Sequence, residues 1–194
     1  MSASPWPVLD QAHQALRTAV AGVPSDGWQR PTPAGRWTVA QVLQHVAADQ
    51  LAYAARLTGG PGPDHDPFDL SGIIEGSPAE LLEAALAASA AAFAAVDPAD
   101  DQVPVPLPPY TLPAARAVAA AALDAAVHAW DIAVATGRPS PLTPALAKAL
   151  RPVTDDVVEP LRGYVYASPI EPAAGADEAD ALLNHLGRRA DWSG

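Results

Sequence analysis

Apolar residues recur every three or four positions through most of the chain, and proline and glycine separate the runs. Leu9, Ala12, Leu16 and Val20 share one face of a predicted helix over 7–21. A Pro- and Gly-rich loop follows over 28–36, and Thr38 opens a second helix that ends near 58, before Gly59 and Gly60. The Thr38 hydroxyl can cap the first turn while Gln41 reaches back, a capping box. A third helix over 77–96 opens on Ser77, with Pro78 at the first helical position and Glu80 as capping-box partner. A fourth covers 113–136 and stops at Gly137; a fifth starts on Thr143-Pro144 and runs to 161; a short sixth covers 176–186 and ends at Gly187. No repeat is visible, and no alternating run is long enough for a sheet. The fold class is all-α.

Two connections stand out. The segment 59–76 carries Pro61, Pro63, Pro67 and several aspartates, and 97–112 carries Pro98, Pro104, Pro106, Pro108 and Pro109. Both must be extended or looped, because proline lacks the amide proton a helix needs. Such loops either wall a binding site or are stiffened connections, and the two readings stand level.

Composition narrows the function classes. A chain of 194 residues, 49% apolar, suits one domain over 1–194 with a real core. The net charge is -11, with Lys148 the lone lysine, and the pI is about 4.6. Such a surface repels phosphate backbones and anionic lipid, which argues against nucleic-acid and membrane partners. Cysteine is absent, which excludes disulfides, thiolate metal sites and a thiol nucleophile from the protein itself. The stretch 1–6 has no basic run leading into an apolar core, and the apolar stretch 84–96 is too short to span a bilayer. The expected compartment is the cytoplasm.

The fourth helix carries the candidate chemistry. Between Arg116 and Arg138 its ionisable side chains are Asp124, His128 and Asp131. They fall in a narrow strip, with Leu123, Val127, Trp130 and Val134 on one flank and Val118, Ala121, Ala125 and Ile132 on the other. The strip therefore points into the protein, where each such group needs a partner or a metal. Asp124 and His128, four apart, lie side by side as two ligands of one ion would. On the second helix His45 sits at the edge of the apolar stripe, and Asp49, four residues on, can fix its tautomer as a hydrogen-bond acceptor. Two histidines and a carboxylate from two helices form a recurring open metal site. The pattern alone leaves this open: a helix-face histidine is more often a hydrogen-bonded core or rim residue, and Asp124 could equally bond a neighbouring helix. His13 reads as solvent-facing, His65 as part of a solvated turn with Asp64 and Asp66, and His185 as a helix-end cation. None is assigned a role. Trp37 and Trp130 are expected in the core, and Trp6, Trp28 and Trp192 partly exposed.

At these residues a family resemblance enters. Pro33-Ala34-Gly35-Arg36-Trp37-Thr38-Val39, followed by Val42-Leu43 and His45, resembles the entry to the second helix in the DinB-like superfamily. The branch it resembles is the mycothiol-dependent maleylpyruvate isomerase-like group. Asp124 with His128-Ala129-Trp130-Asp131-Ile132-Ala133, ending in Thr136-Gly137, looks like that group's second motif, and 182–188 resembles its C-terminal tail. The resemblance implies an antiparallel four-helix bundle with additional C-terminal helices. It implies metal ligands at His45, Asp124 and His128, with zinc, or in some members nickel, as the ion and mycothiol or bacillithiol as the thiol. Asp124 stands where the isomerase has Glu, and Ala34 where relatives often have Cys. The metal site therefore carries over and the isomerase reaction does not. The Ala, Pro and Arg bias with scarce Lys fits a high-GC genome, in keeping with mycothiol-using bacteria.

Two functions follow. In the first, a metal-dependent transferase or isomerase activates an external small-molecule thiol against an electrophilic substrate, with Asp49 or Asp131 positioning a ligating imidazole. In the second, the bundle is a non-catalytic ligand-binding module, or a degenerate member whose metal site is structural or vestigial. The catalytic residues, the substrate and the oligomeric state, a homodimer included, stay open.

Overall fold

The computed structural model describes residues 4–193, so the first half of the 1–6 stretch and Gly194 lie outside the described residues. Four long helices, α1 (Pro7–Ala21), α2 (Val39–Thr58), α3 (Pro78–Ala94) and α4 (Ala114–Ala135), form the bundle. Their starts follow the local signals. Thr38 caps α2 with the full reciprocal box, and Gly59 closes it in the left-handed conformation at φ 70°. Ser77 Oγ accepts from the Glu80 amide at the start of α3. The expected return bond from the Glu80 side chain is not among the described hydrogen bonds, so only half of that box forms. A two-residue hairpin, β1 (Val103–Pro104) against β2 (Thr111–Leu112), leads into α4.

The directions of the helices follow from the contacts between them. Gln41 and Gln44 bind the carbonyls of Leu70 and Ile73, so the 59–76 loop runs back along α2 before α3 begins. α2 and α3 then run side by side, with Tyr53 beside Phe93 at their far ends, ring centroids 6.0 Å apart. α1 opposes α3, since its first residues reach Phe93 and Arg17 pairs with Glu83 at 2.6 Å. α4 opposes α2: Gln50 lies beside Ala121, and His45, earlier on α2, faces residues later on α4. The bundle thus closes through two antiparallel contacts and two parallel ones.

α4 is its axis, buried on nearly every side. By length and composition α4 could cross a membrane, but most of its apolar window is buried among the other helices, as in a core helix. A polar layer crosses the core beside it. Gln50 Nε2 donates to the Ala121 carbonyl, so its Oε1 must accept from both His13 Nε2–H (3.0 Å) and Ser89 Oγ–H (2.8 Å). His13 is therefore buried, at 2% exposure, and not solvent-facing. Its position one residue past Ala12 misleads; Leu9 and Leu16, at i-4 and i+3, share its face. Trp6 is also buried, its indole donating to the Phe93 carbonyl, whereas Trp37 is only half-buried. Trp130 packs in the core as expected.

The expected helix over 143–161 is broken. Only α5 (Pro144–Leu150) is regular; a 3₁₀ turn at Arg151–Val153, the single turn α6 (Thr154–Val157) and a second 3₁₀ turn at Glu159–Leu161 follow. Pro152 and Pro160 interrupt the amide ladder. The break sends 162–168 back across the bundle as an irregular strap, ahead of α7 (Glu178–His185). The strap and the residues after α7 close one end of the gap between α2 and α4.

Candidate metal centre

His45 projects from the middle of α2. Its Nδ1 lies 2.8 Å from the Pro67 carbonyl, which can only accept, so the imidazole carries its proton on Nδ1 and turns Nε2 the other way. The indole of Trp37 packs on the ring, centroids 4.5 Å apart. On α4, His128 is set in the same manner. Its Nδ1 lies 2.8 Å from Asp131 Oδ2, and Arg188 grips Asp131 with Nε and Nη2, each at 2.9 Å. A carboxylate held by arginine is an acceptor, so His128 also presents Nε2 inward.

Both Nε2 atoms face one carboxylate oxygen. Asp124 Oδ1 is 3.6 Å from His45 Nε2 and 3.3 Å from His128 Nε2, and one ligand atom from each residue lies within 4.8 Å of the others. Ligand atoms about 2.0–2.1 Å from a tetrahedral zinc ion would sit roughly 3.4 Å from one another. The second oxygen, Asp124 Oδ2, is buried without a hydrogen-bond partner. Three lone pairs converging in a buried place call for a cation, a proton or a metal. The donor set, two imidazoles and a carboxylate, fits a divalent ion that displaces any proton held there.

The electrostatics carry the same message. Burial pushes the His128 imidazole down, but the Asp124 carboxylate beside it more than offsets this and raises it to about 9. Burial would raise Asp124; the charge of His128 first, and the His45 imidazole beside it, hold it well below the usual carboxylate range. Asp131, likewise buried, is held down by Arg188 and His128. Asp49 goes the other way: burial first, then the charge of Asp124, pushes it up to about 7.

The expected residues thus divide. His45, Asp124 and His128 come together, and Asp131 positions His128. Asp49 does not orient His45, because the Pro67 carbonyl holds that nitrogen. Asp49 instead lines a small chamber of about 40 Å³ behind the cluster, with Tyr53 and Tyr166. His65 stays in an exposed turn against Asp64 at 2.7 Å.

In front of the cluster opens a cavity of about 370 Å³, walled by Trp37, Phe68, the strap at Tyr164–Ala167 and Arg188. The 59–76 loop reaches it through Phe68, while 97–112 contributes Val105 and Leu107 only to the chamber behind. Periodicity carried no signal for the strap or for the pairing of Arg188 with Asp131, and the Pro67 carbonyl has no side-chain chemistry to notice.

The model of the mycothiol maleylpyruvate isomerase N-terminal domain matches residues 9–133, a span that holds the whole cluster. The chain belongs to this family. Two uncharacterised proteins of Mycobacterium tuberculosis, from strains CDC 1551 and H37Rv, are each 29% identical to it over 139 residues, covering 71% of this chain and 70% of theirs. No solved structure matches. In this family member the strap and Arg188 lie beyond the matched span, so the C-terminal part of the chain supplies one side of the cavity, opposite Trp37 and Phe68 from within that span.

Proposed function

We propose that this protein holds a divalent metal ion, zinc foremost, on His45, Asp124 and His128, and activates an external small-molecule thiol such as mycothiol for transfer to, or isomerisation of, an electrophilic substrate. The observation that carries the reading is the engagement of both Nδ1 atoms, which leaves both Nε2 lone pairs facing Asp124, whose second oxygen has no partner. Membership of a mycothiol-associated family supports the choice of thiol. A protein without cysteine must take its sulfur nucleophile from outside. An ion in this place supplies Lewis acidity, lowering the pKa of a thiol so that sulfur meets carbon as thiolate. The chain's own residues then do the rest. Asp131 and Pro67 hold the imidazoles in one tautomer, Arg188 holds Asp131, and Trp37 and Tyr166 wall the cavity beside the cluster. With three protein donors, the remaining coordination positions are open to ligand. Shortening Glu to Asp at position 124 is compatible with this, since Oδ1 already lies between the two imidazoles.

The test is elemental analysis of untagged protein beside His45→Ala. Near-stoichiometric zinc in the parent and little in the variant is expected; equal content in both would remove His45 from the ligand set. Titration with mycothiol then separates the two functions. Zinc with measurable thiol affinity supports the enzyme, and zinc without it supports the structural-site alternative.

A further inference from the structure

We infer, building on the metal-and-thiol reading above, that the acceptor substrate is an uncharged electrophile with an apolar body of aromatic size, and that Phe68, Tyr164 and Val165 determine that specificity. Tyr164 is 92% exposed, and Phe68 and Val165 are each 45% exposed, yet all three line the cavity of about 370 Å³ in front of the His45–Asp124–His128 cluster. Large apolar side chains left in water around a concave site mark the surface a ligand covers. Phe68 lies 5.3 Å from the His45 ring, centroid to centroid, so an apolar body resting on it is delivered beside the cluster.

Charge accounting decides the class. Arg188 is the one lysine or arginine lining this cavity, and its Nε and Nη2 are both spent on Asp131. Arg36, on the neighbouring rim loop, is exposed and does not line it. Phe68 itself sits between the exposed Asp66 and Asp69, with Asp64 close by, on a chain of net charge -11. Apart from the ion itself, a substrate with a carboxylate tail would find on these walls only Arg188 and His128, both already held by Asp124 and Asp131, and an acidic rim on approach. An uncharged ring loses nothing to either and gains the burial of three large side chains.

The probe is neutral 6-propionyl-2-dimethylaminonaphthalene, with its 6-sulfonate analogue as the anionic counterpart. Both are titrated by fluorescence into the full chain treated with chelator, so that a metal does not draw the anion in. Phe68→Ser and Tyr164→Ser, both at exposed positions, serve as variants, with circular dichroism to confirm the fold. The expected result is saturable binding of the neutral probe, at least tenfold weaker binding of the sulfonate, and roughly five- to tenfold loss in each variant, from about 40–60 Å² less apolar burial. Absent binding of the neutral probe, equal or better binding of the sulfonate, or unchanged affinity in both variants would each overturn the assignment. Zinc content is measured on the same preparations before chelation. Protein without zinc whose neutral-probe affinity depends on Phe68 and Tyr164 would sink the metal reading and leave the specificity assignment standing.

Discussion

Arg188 controls His128 without touching it. Its fork on Asp131 keeps that carboxylate ionised, and the carboxylate fixes the His128 proton on Nδ1, so that Nε2 points at the cluster. Removing such a supporting residue lowers metal affinity by about 10–100-fold in comparable sites. Arg188→Ala and Asp131→Asn should both weaken zinc binding within that range, read by competition with a chromogenic chelator; wild-type affinity in both would break the proposed chain of support. His128 adds a pH signature. With its pKa raised to about 9, it carries a proton at neutral pH when no cation is bound, and a metal must displace that proton. Zinc uptake at pH 7–8 should therefore release protons and weaken as pH falls, measured by calorimetry in buffers of different ionisation enthalpy. At this scale the three candidate ligands were legible, because helix spacing and buried polarity single them out and the family motifs they sit in supply the metal reading that spacing alone leaves open. Arg188 was not legible as Asp131's partner, since the two lie 57 residues apart and no periodic pattern links them.

The helix starts at Thr38, Ser77 and Thr143 were readable because capping is a local contest between a hydroxyl and the next few amides. The 143–161 segment was misread because its cap-plus-proline start was carried past Pro152 and Pro160, whose lost amides decide the outcome. Two elements carry predictions. Gly187, after α7, has φ 79°, and a Cβ there would stand 2.8 Å from that of Ala167 on the strap. Gly187→Ala should cost about 1–3 kcal/mol, by strain and by displacing the strap. Chemical denaturation checks this, and an unchanged midpoint would contradict the packing. The His13–Gln50–Ser89 layer ties all four long helices together, and burial lowers the His13 pKa below 6.5. The unfolded chain then binds the proton more readily than the fold does, so this contribution is complete above about pH 6.5 and is lost as pH falls below it. His13→Gln, which retains a donor toward Gln50, should flatten the fall of melting temperature between pH 6.5 and 5; an unaltered slope would assign that fall elsewhere.

At the scale of the whole molecule, the cluster is assembled from pieces far apart in the chain. α2 and α4 supply the candidate ligands, the 59–76 loop supplies the Pro67 carbonyl, and the segment after α7 supplies Arg188. No one piece can open without loosening the others, which supports reading the chain as one cooperative unit. A ligand that binds only the assembled form stabilises it by mass action, about 2.7 kcal/mol when free ion is a hundredfold above its dissociation constant. For a chain of this length that corresponds to a rise of roughly 5–10 °C in melting temperature. Calorimetry of zinc-loaded protein should show a single transition that chelator lowers by this amount, while Asp124→Ala melts at one temperature with or without zinc. Two transitions, with only one responding to zinc, would place the C-terminal segment outside the unit that holds the ion. A zinc-insensitive parent would take away the reason for burying two imidazoles against one carboxylate.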